Sequence, residues 1–192
     1  MTSVVVLDAK GLRALAHPVR VELVQLLRKY GPSTATRLAE RLGVNSGTAS
    51  YHLRRLAAAG FVEEDTERGN ARERWWRAVH EVTRLTSSDV ARQEPEALMA
   101  YLRSVAAAHS LLTQRALNEL QTMPRPWFDA FDISHWALRL TPDEAGRMRE
   151  ELLSVIDRYR RDASEQTAEG AERVSLVMHF LPEPAGSEPD PS

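Results

Sequence analysis

The chain has 192 residues, 43% hydrophobic and 27% charged, an ordinary makeup for a globular protein of one large domain or of a small domain with an extension. It has no cysteine, so disulfide frameworks, thiolate metal sites and catalytic thiols are excluded; no apolar run nears the ~18 residues of a membrane span, and "TSVVVLD" is too short for a secretory leader, so a cytoplasmic protein without membrane contact is expected. The formal net charge of -2 conceals a division, with 14 Lys/Arg against 9 Asp/Glu through Leu85 and 11 against 18 from Thr86 onward, consistent with a nucleic-acid-binding front and an acidic rear.

In chain order, Asp8 is the expected N-cap of a first helix, "DAKGLRALA", with Leu12, Leu15 and Ala16 on one face. Pro18 opens a second, "PVRVELVQLLRKY", with Val21, Val24 and Leu27 at core spacing, and "GPS" breaks it. Thr34 begins a third, "TATRLAERLG", whose Leu38, Ala39 and Leu42 face inward and whose Gly43 suits the C-terminal turn. Asn45 caps a fourth, "SGTASYHLRRLAAAG". Next comes "FVEEDTERGNARERWWRAV": a strand, a turn at Arg68-Gly69-Asn70, and a strand carrying Trp75 and Trp76. Three helices followed by a hairpin give a winged helix-turn-helix layout over residues 1–88.

Residues 89–124 read as a polar linker and a long helix, opening at Pro95 or Glu96 and reaching about Thr122. Leu98, Leu102, Val105, His109, Leu112 and Ala116 recur on it at steps of four and three, close to a heptad seam, and Ala106 to Ala108 would let a neighbouring helix come near. Residues 125–181 read as a strand-helix-strand unit. "ISHWALRL" and "ERVSLVMHFL" alternate, and the helix between them starts with a capping box, Thr141 to Glu144, and Pro142 at its first position. The Pro-rich acidic tail, 182–192, is expected to be disordered. The fold class is mostly α with a small β component.

The fourth helix carries the chemistry. At about 100° per residue, Ala49, Leu53, Leu56 and Gly60 form its buried stripe. The opposite side holds Gly47, Tyr51, Arg54, Arg55 and Ala58, with Thr48 and Ser50 on the flanks. From Asn45 to Val62 there is no Asp or Glu, which an ordinary solvated helix face explains poorly. Small hydroxyls at the N-terminal end, arginine forks and a tyrosine are what a major-groove reader needs.

"LRALAHPVRVELVQLL", "TATRLAERLGVNSGTASYHLRRLAAAGFVEE" and "GNARERWWRA" together resemble the ArsR-type winged-helix family of bacterial transcription regulators, over roughly residues 8–80. The His-Pro-x-Arg element, the S-x-H-L-x-x-L-x-x-A-G-hydrophobic run and an Arg-bearing wing match in order. The resemblance implies a homodimer on a pseudo-palindromic operator in double-stranded DNA; a repressor is expected, although the sequence leaves activation open. Ser46 to Arg55 would lie in the major groove, and the wing along the backbone or minor groove. The expected DNA-binding set is Thr34, Thr36, Ser46, Gly47, Thr48, Ser50, Tyr51, His52, Arg54 and Arg55, with Arg68, Asn70, Arg72 and Arg74 from the wing. The chain departs from the family in two ways. Its third helix has no Cys-x-Cys and its long helix offers only His109, and some 70 residues follow the usual end of the fold. No metal and no cofactor are therefore expected, and no effector site is inherited from the resemblance.

Elsewhere, His17 and His52 read as structural, and His109 on the apolar seam as a buried, hydrogen-bonded residue. His135 and His179 would meet only if the two C-terminal strands pair, which leaves a His-based metal sensor as an alternative. Trp127, Phe128, Phe131 and Trp136 crowd one region, either as core of the C-terminal unit or as a pocket for an unknown small-molecule effector. No nucleophile motif, phosphate-cradling loop or paired-carboxylate arrangement is present, so no enzyme is expected. A winged-helix protein-interaction module is the other alternative.

Overall fold

A computed structural model describes residues 4–68, 73–84, 92–159 and 169–183. The predicted turn residues Gly69 and Asn70, the expected wing contact Arg72, most of the linker, and tail residues 184–192 lie outside them. The chain forms two compact units, Met1–Pro124 and Arg125–Ser192.

The first unit is a winged helix built on capped helices. α1 (Ala9–Leu15) starts at Asp8, whose carboxylate accepts from the Gly11 N–H at 2.7 Å. α2 (Pro18–Tyr30) starts at His17, whose Nδ1 accepts from the Val19 N–H at 3.2 Å. α3 (Ala35–Leu42) is capped by the Thr34 hydroxyl and ends on Gly43, whose φ of 68° is open to glycine at little cost. α4 (Ser46–Ala58) starts at Asn45, whose side-chain oxygen accepts from the Thr48 N–H at 2.7 Å. The caps satisfy orphan N–H groups at each start, each contributing about 1 kcal/mol.

The sheet is small. β3 (Val62–Glu64) and β4 (Trp75–Ala78) form the antiparallel wing, with Val62 opposite Ala78 and Glu64 opposite Trp76. β2 (Ser33–Thr34) pairs with the other edge of β4. A separate parallel pair joins β1 (Val4–Val6) to β5 (Val82–Arg84), tying the start of the chain to the segment after the wing. That pair was not expected: each strand has three residues, too few to show an alternation.

The core is continuous across these elements. Leu12, Leu23, Leu38, Leu53, Leu56 and Phe61 are fully buried, and Trp76 closes the wing onto them. Gly60, expected in the buried stripe of α4, is instead exposed at φ 82° in the turn into β3. The fourth buried position of α4 belongs instead to His52, two turns earlier.

α5 (Pro95–Glu119) is a full member of this unit, packing across α1 and α2. Ser104 and Ala108 are buried, with Leu98, Tyr101 and Val105 packed beside them. Arg115 reaches Glu22 of α2 at 3.5 Å, and Arg13 of α1 pairs with Glu94. The expected seam therefore divides. Leu98 and Val105 serve the unit's own core, Leu112 and Ala116 are half-buried, and Leu102 is exposed. The small Ala108 is spent on α5's approach to its own domain. Roughly opposite the buried face runs a second stripe, Met99, Leu102, Ala106, Thr113 and Leu117, spaced three, four, seven and four residues apart.

In the second unit, α6 (Arg125–Asp129) is closed by an Arg125–Asp129 ion pair at 3.0 Å. α7 (Pro142–Asp157) begins with the expected capping box, in which Thr141 accepts from the Glu144 N–H and the Glu144 carboxylate accepts from Thr141. The flanking segments expected as strands, 133–140 and 172–181, carry no strand ladder. Among the described residues of this unit none is buried, so the alternation is present but has no partner sheet to express it.

Candidate nucleic-acid interface

α3, the turn at Gly43 and α4 form the helix-turn-helix. Ala49, Leu53 and Leu56 clamp α4 to the core, which leaves its other face outward. Ser46, Gly47, Tyr51, Arg54 and Arg55 are exposed there, with Thr48 and Ser50 half-buried on the flanks. Among the described residues neither Arg54 nor Arg55 is in an ion pair, so both guanidinium forks are free to meet phosphate or a guanine edge. Thr36 is exposed at the start of α3.

Two expected contacts are corrected by burial. Thr34 is 2% exposed and committed to capping α3, so its hydroxyl is not available to DNA. His52 is 7% exposed and faces inward, its ring 4.4 Å from that of His17. The 100° winding places it beside Ala49 and Leu56, which a small shift of the buried stripe converts from flank to interior.

On the wing, Arg68 lies 3.7 Å from Asp65, Arg74 3.8 Å from Glu64, and Arg77 2.7 Å from Glu63. The Arg74 and Arg77 pairs are exposed and of small energetic value, so an approaching phosphate can displace their carboxylates, whereas Asp65 is buried and holds Arg68 from within the wing. Arg37 of α3 stacks over Trp75 at 5.1 Å and Arg41 over Tyr30 at 4.1 Å, each a cation held against a ring beside the helix-turn-helix.

One cationic residue escaped the sequence reading. Arg20, in the first turn of α2, senses both Arg55 and Tyr51 of α4 electrostatically, and burial followed by Arg55 lowers its pKa. Its Nε is buried without a hydrogen-bond partner. The signal was in His-Pro-x-Arg itself, which places this arginine three residues past the cap, on the side that α4 crosses.

Burial and then Arg20 lower the pKa of His17; burial, then His17, then Arg20 lower that of His52. Both rings are thus neutral at pH 7. The His17 cap requires an unprotonated Nδ1, and the Nδ1 of His52 is buried without a partner. A base whose folded pKa lies below its unfolded value binds protons first in the unfolded chain, so stability from this pair is complete above about pH 6.5 and declines as pH falls below it. Thermal melts are expected to drop between pH 7 and 5, and His52→Leu is expected to flatten that drop. An equal pH dependence in wild type and variant would contradict the assignment.

The matching family is a helix-turn-helix domain, over residues 15–65. The match runs from the end of α1 through β3 and includes both helices of the motif. No curated protein matches the chain. Among solved structures, the chain is similar to a ZitR mutant of Lactococcus lactis in apo form (15% identity, 74% of this chain and 82% of that one, TM-score 0.30). It is also similar to the transcriptional regulator Tm0710 of Thermotoga maritima (14% identity, 73% and 76%, TM-score 0.31). No helix is long and apolar enough to cross a membrane, and no group of three His, Cys, Asp or Glu that could hold a metal occurs among the described residues.

Trp127, Phe128, Phe131 and Trp136 do not enclose a cavity within the unit. Trp136 is 72% exposed, and Phe128, also exposed, carries Arg125 over its ring at 5.7 Å. His135 sits on an exposed segment with no ladder to bring it to His179.

Proposed function

We propose that the protein is a sequence-specific DNA-binding transcriptional regulator of the ArsR type. It acts as a homodimer on a pseudo-palindromic operator and represses by occupying it. The outward face of α4 carries the reading: it has no acidic residue, its two arginines are unpaired, and its tyrosine stands out in solvent, while its inner face is fixed by the core. A rigid helix presenting free forks beside an arginine-bearing wing suits major-groove readout with flanking phosphate contacts. Arg20 adds a cation at the α2 end of this surface. The exposed stripe through Met99, Leu102 and Leu117 supplies the face on which two copies of α5 meet.

Tyr51→Ala with Arg54→Ala is expected to lower affinity for the operator by on the order of 1–3 kcal/mol per lost base contact, and affinity for unrelated DNA much less. The measurement is a titration against a footprinted site upstream of the protein's own gene, at fixed salt because phosphate contacts are salt-dependent. Unchanged operator affinity in the double variant would reject α4 as the reader.

A further inference from the structure

The two arginines of α4 do not face the same way. Arg54 and Arg55 stand about 100° apart around the helix, and Arg55 is on the side turned to α2. Three residues separate His52 from Arg55, and three separate His17 from Arg20 at the start of α2, which is the spacing of side chains that neighbour one another along a helix. The His17 and His52 rings meet at 4.4 Å, and the Tyr51 ring stands edge-on to that of His52 at 5.3 Å. This contact brings Arg20 and Arg55 together where α2 and α4 pack, with Tyr51 between the pair and Arg54. Arg20 accordingly feels the charge of Arg55 and the hydroxyl of Tyr51.

Neither cation has a counter-charge. Among the described residues Arg20 and Arg55 are in no ion pair, and Arg20 makes no hydrogen bond. Only the Nε of Arg20 is enclosed, which fixes the guanidinium between the helices while its two terminal nitrogens reach solvent. The one carboxylate of α2, Glu22, is turned to Arg115 of α5, and α4 has none. The first N–H groups of α2 are also committed. Val19 donates to His17 Nδ1, and Arg20 and Val21 donate to the His17 carbonyl, so an incoming anion is met by side chains and not by the helix end. Two adjacent guanidinium groups repel in the free protein, and an anion between them removes that repulsion and accepts from both forks.

We infer that Arg20 and Arg55 together clamp one phosphate of the DNA backbone, while Arg54 is the arginine of α4 that meets base edges. The inference rests on the DNA-binding reading of α4 and divides the labour within it. A contact made from α2, outside the helix-turn-helix, fixes how α4 is set in the groove and carries no sequence information of its own.

The test is an anisotropy titration of the full-length protein at several salt concentrations, against the footprinted operator and an unrelated duplex. Arg20→Gln and Arg55→Gln are each expected to weaken binding to both duplexes alike, by roughly tenfold. Because they share a phosphate, the double variant is expected to lose less than the product of the two single losses. Its salt slope should flatten by about one unit and not by two. Arg54→Ala is expected to do the reverse, narrowing the ratio between operator and unrelated DNA. A neutral methylphosphonate moved along the operator backbone should find one position per half-site that weakens wild type and leaves the double variant unaffected. That arm needs no variant to read the wild type, and Arg55 is exposed, so Arg55→Gln serves even where Arg20→Gln melts early. With wild-type DNA binding intact, an unchanged salt slope in the double variant would overturn the clamp. So would single losses that multiply, or the absence of any such methylphosphonate position. Inorganic phosphate that raises the melting midpoint of wild type but not of Arg20→Gln, with equal duplex affinities, would reassign the pair to a free anion. A wild type that binds no duplex would remove the DNA reading itself, and the clamp with it.

Discussion

Replacing Arg28 with alanine is expected to destabilise the first unit by about 3 kcal/mol, the range seen when one partner of a buried charged network is removed. Arg28 lies on the part-buried side of α2. Its Nε donates to the His80 carbonyl at 2.7 Å, and its Nη2 donates to the Thr83 hydroxyl at 2.8 Å. One side chain thus holds the chain where it leaves the wing and enters β5. Burial lowers the Arg28 pKa to about 10, partly offset by Tyr101 of α5. The direction matters: the folded chain disfavours the charge, so the stabilisation comes from two directed hydrogen bonds and not from burial of an ion. The group still carries its proton at neutral pH. Its desolvation cost is fully present there and fades only as pH rises from about 10 toward the unfolded value. It follows that Arg28→Met, which keeps the apolar stem and drops the charge, costs less than Arg28→Ala. Arg28→Lys, a point donor, keeps one bond of the two. The midpoint of thermal unfolding should fall by roughly 10 °C for Arg28→Ala. Operator affinity should fall too, because the wing loses its anchor. A variant melting within a degree or two of wild type would mean that the two bonds are not formed in solution.

The first unit was legible because its signals are local and redundant. Asp8, Pro18, Thr34, Gly43 and Asn45 each fix a helix boundary through a single backbone group, and all five act as expected. The outward face of α4 followed from the winding alone. What escaped depends on distant residues. The β1–β5 pair joins positions nearly eighty residues apart through three-residue strands. Thr34 and His52 were placed in the DNA-binding set by residue type and position, and only tertiary burial shows that one caps α3 and the other packs on His17. Arg20 lies on α2, outside α3 and α4, and joins their surface through folding. On α5 the period was right but the phase was not decidable from sequence. A helix with apolar residues on two sides has two candidate seams, and the residues that touch α1 and α2 decide between them. The C-terminal strands failed differently: the alternation is there, but no strand ladder forms on either segment.

The α5 phase sets the second large effect. Leu102→Glu is expected to convert the dimer to monomer and to lower operator affinity by about 100-fold or more, since binding at two half-sites about 34 Å apart becomes binding at one. Leu102 is 43% exposed on the stripe with Met99 and Leu117, on the opposite side from Ser104 and Ala108, so a glutamate there is solvated in the monomer and buried against its twin only in the dimer. The same substitution at Val105 would place the carboxylate against the unit's own core, and Ala108→Glu would bury it within that core. Those two variants should lose thermal stability, whereas Leu102→Glu should keep the melting behaviour of the folded monomer. Sedimentation at micromolar concentration separates the cases. A Leu102→Glu protein with the wild-type mass and wild-type operator affinity would move the α5 contact to another face. A wild type that sediments as a monomer would remove the dimer altogether. Zinc, nickel or a chelator is expected to change neither mass nor affinity, since His109 is the only histidine that α5 brings to the contact, and a chelator-reversible loss of operator binding would assign control of the dimer to a metal after all.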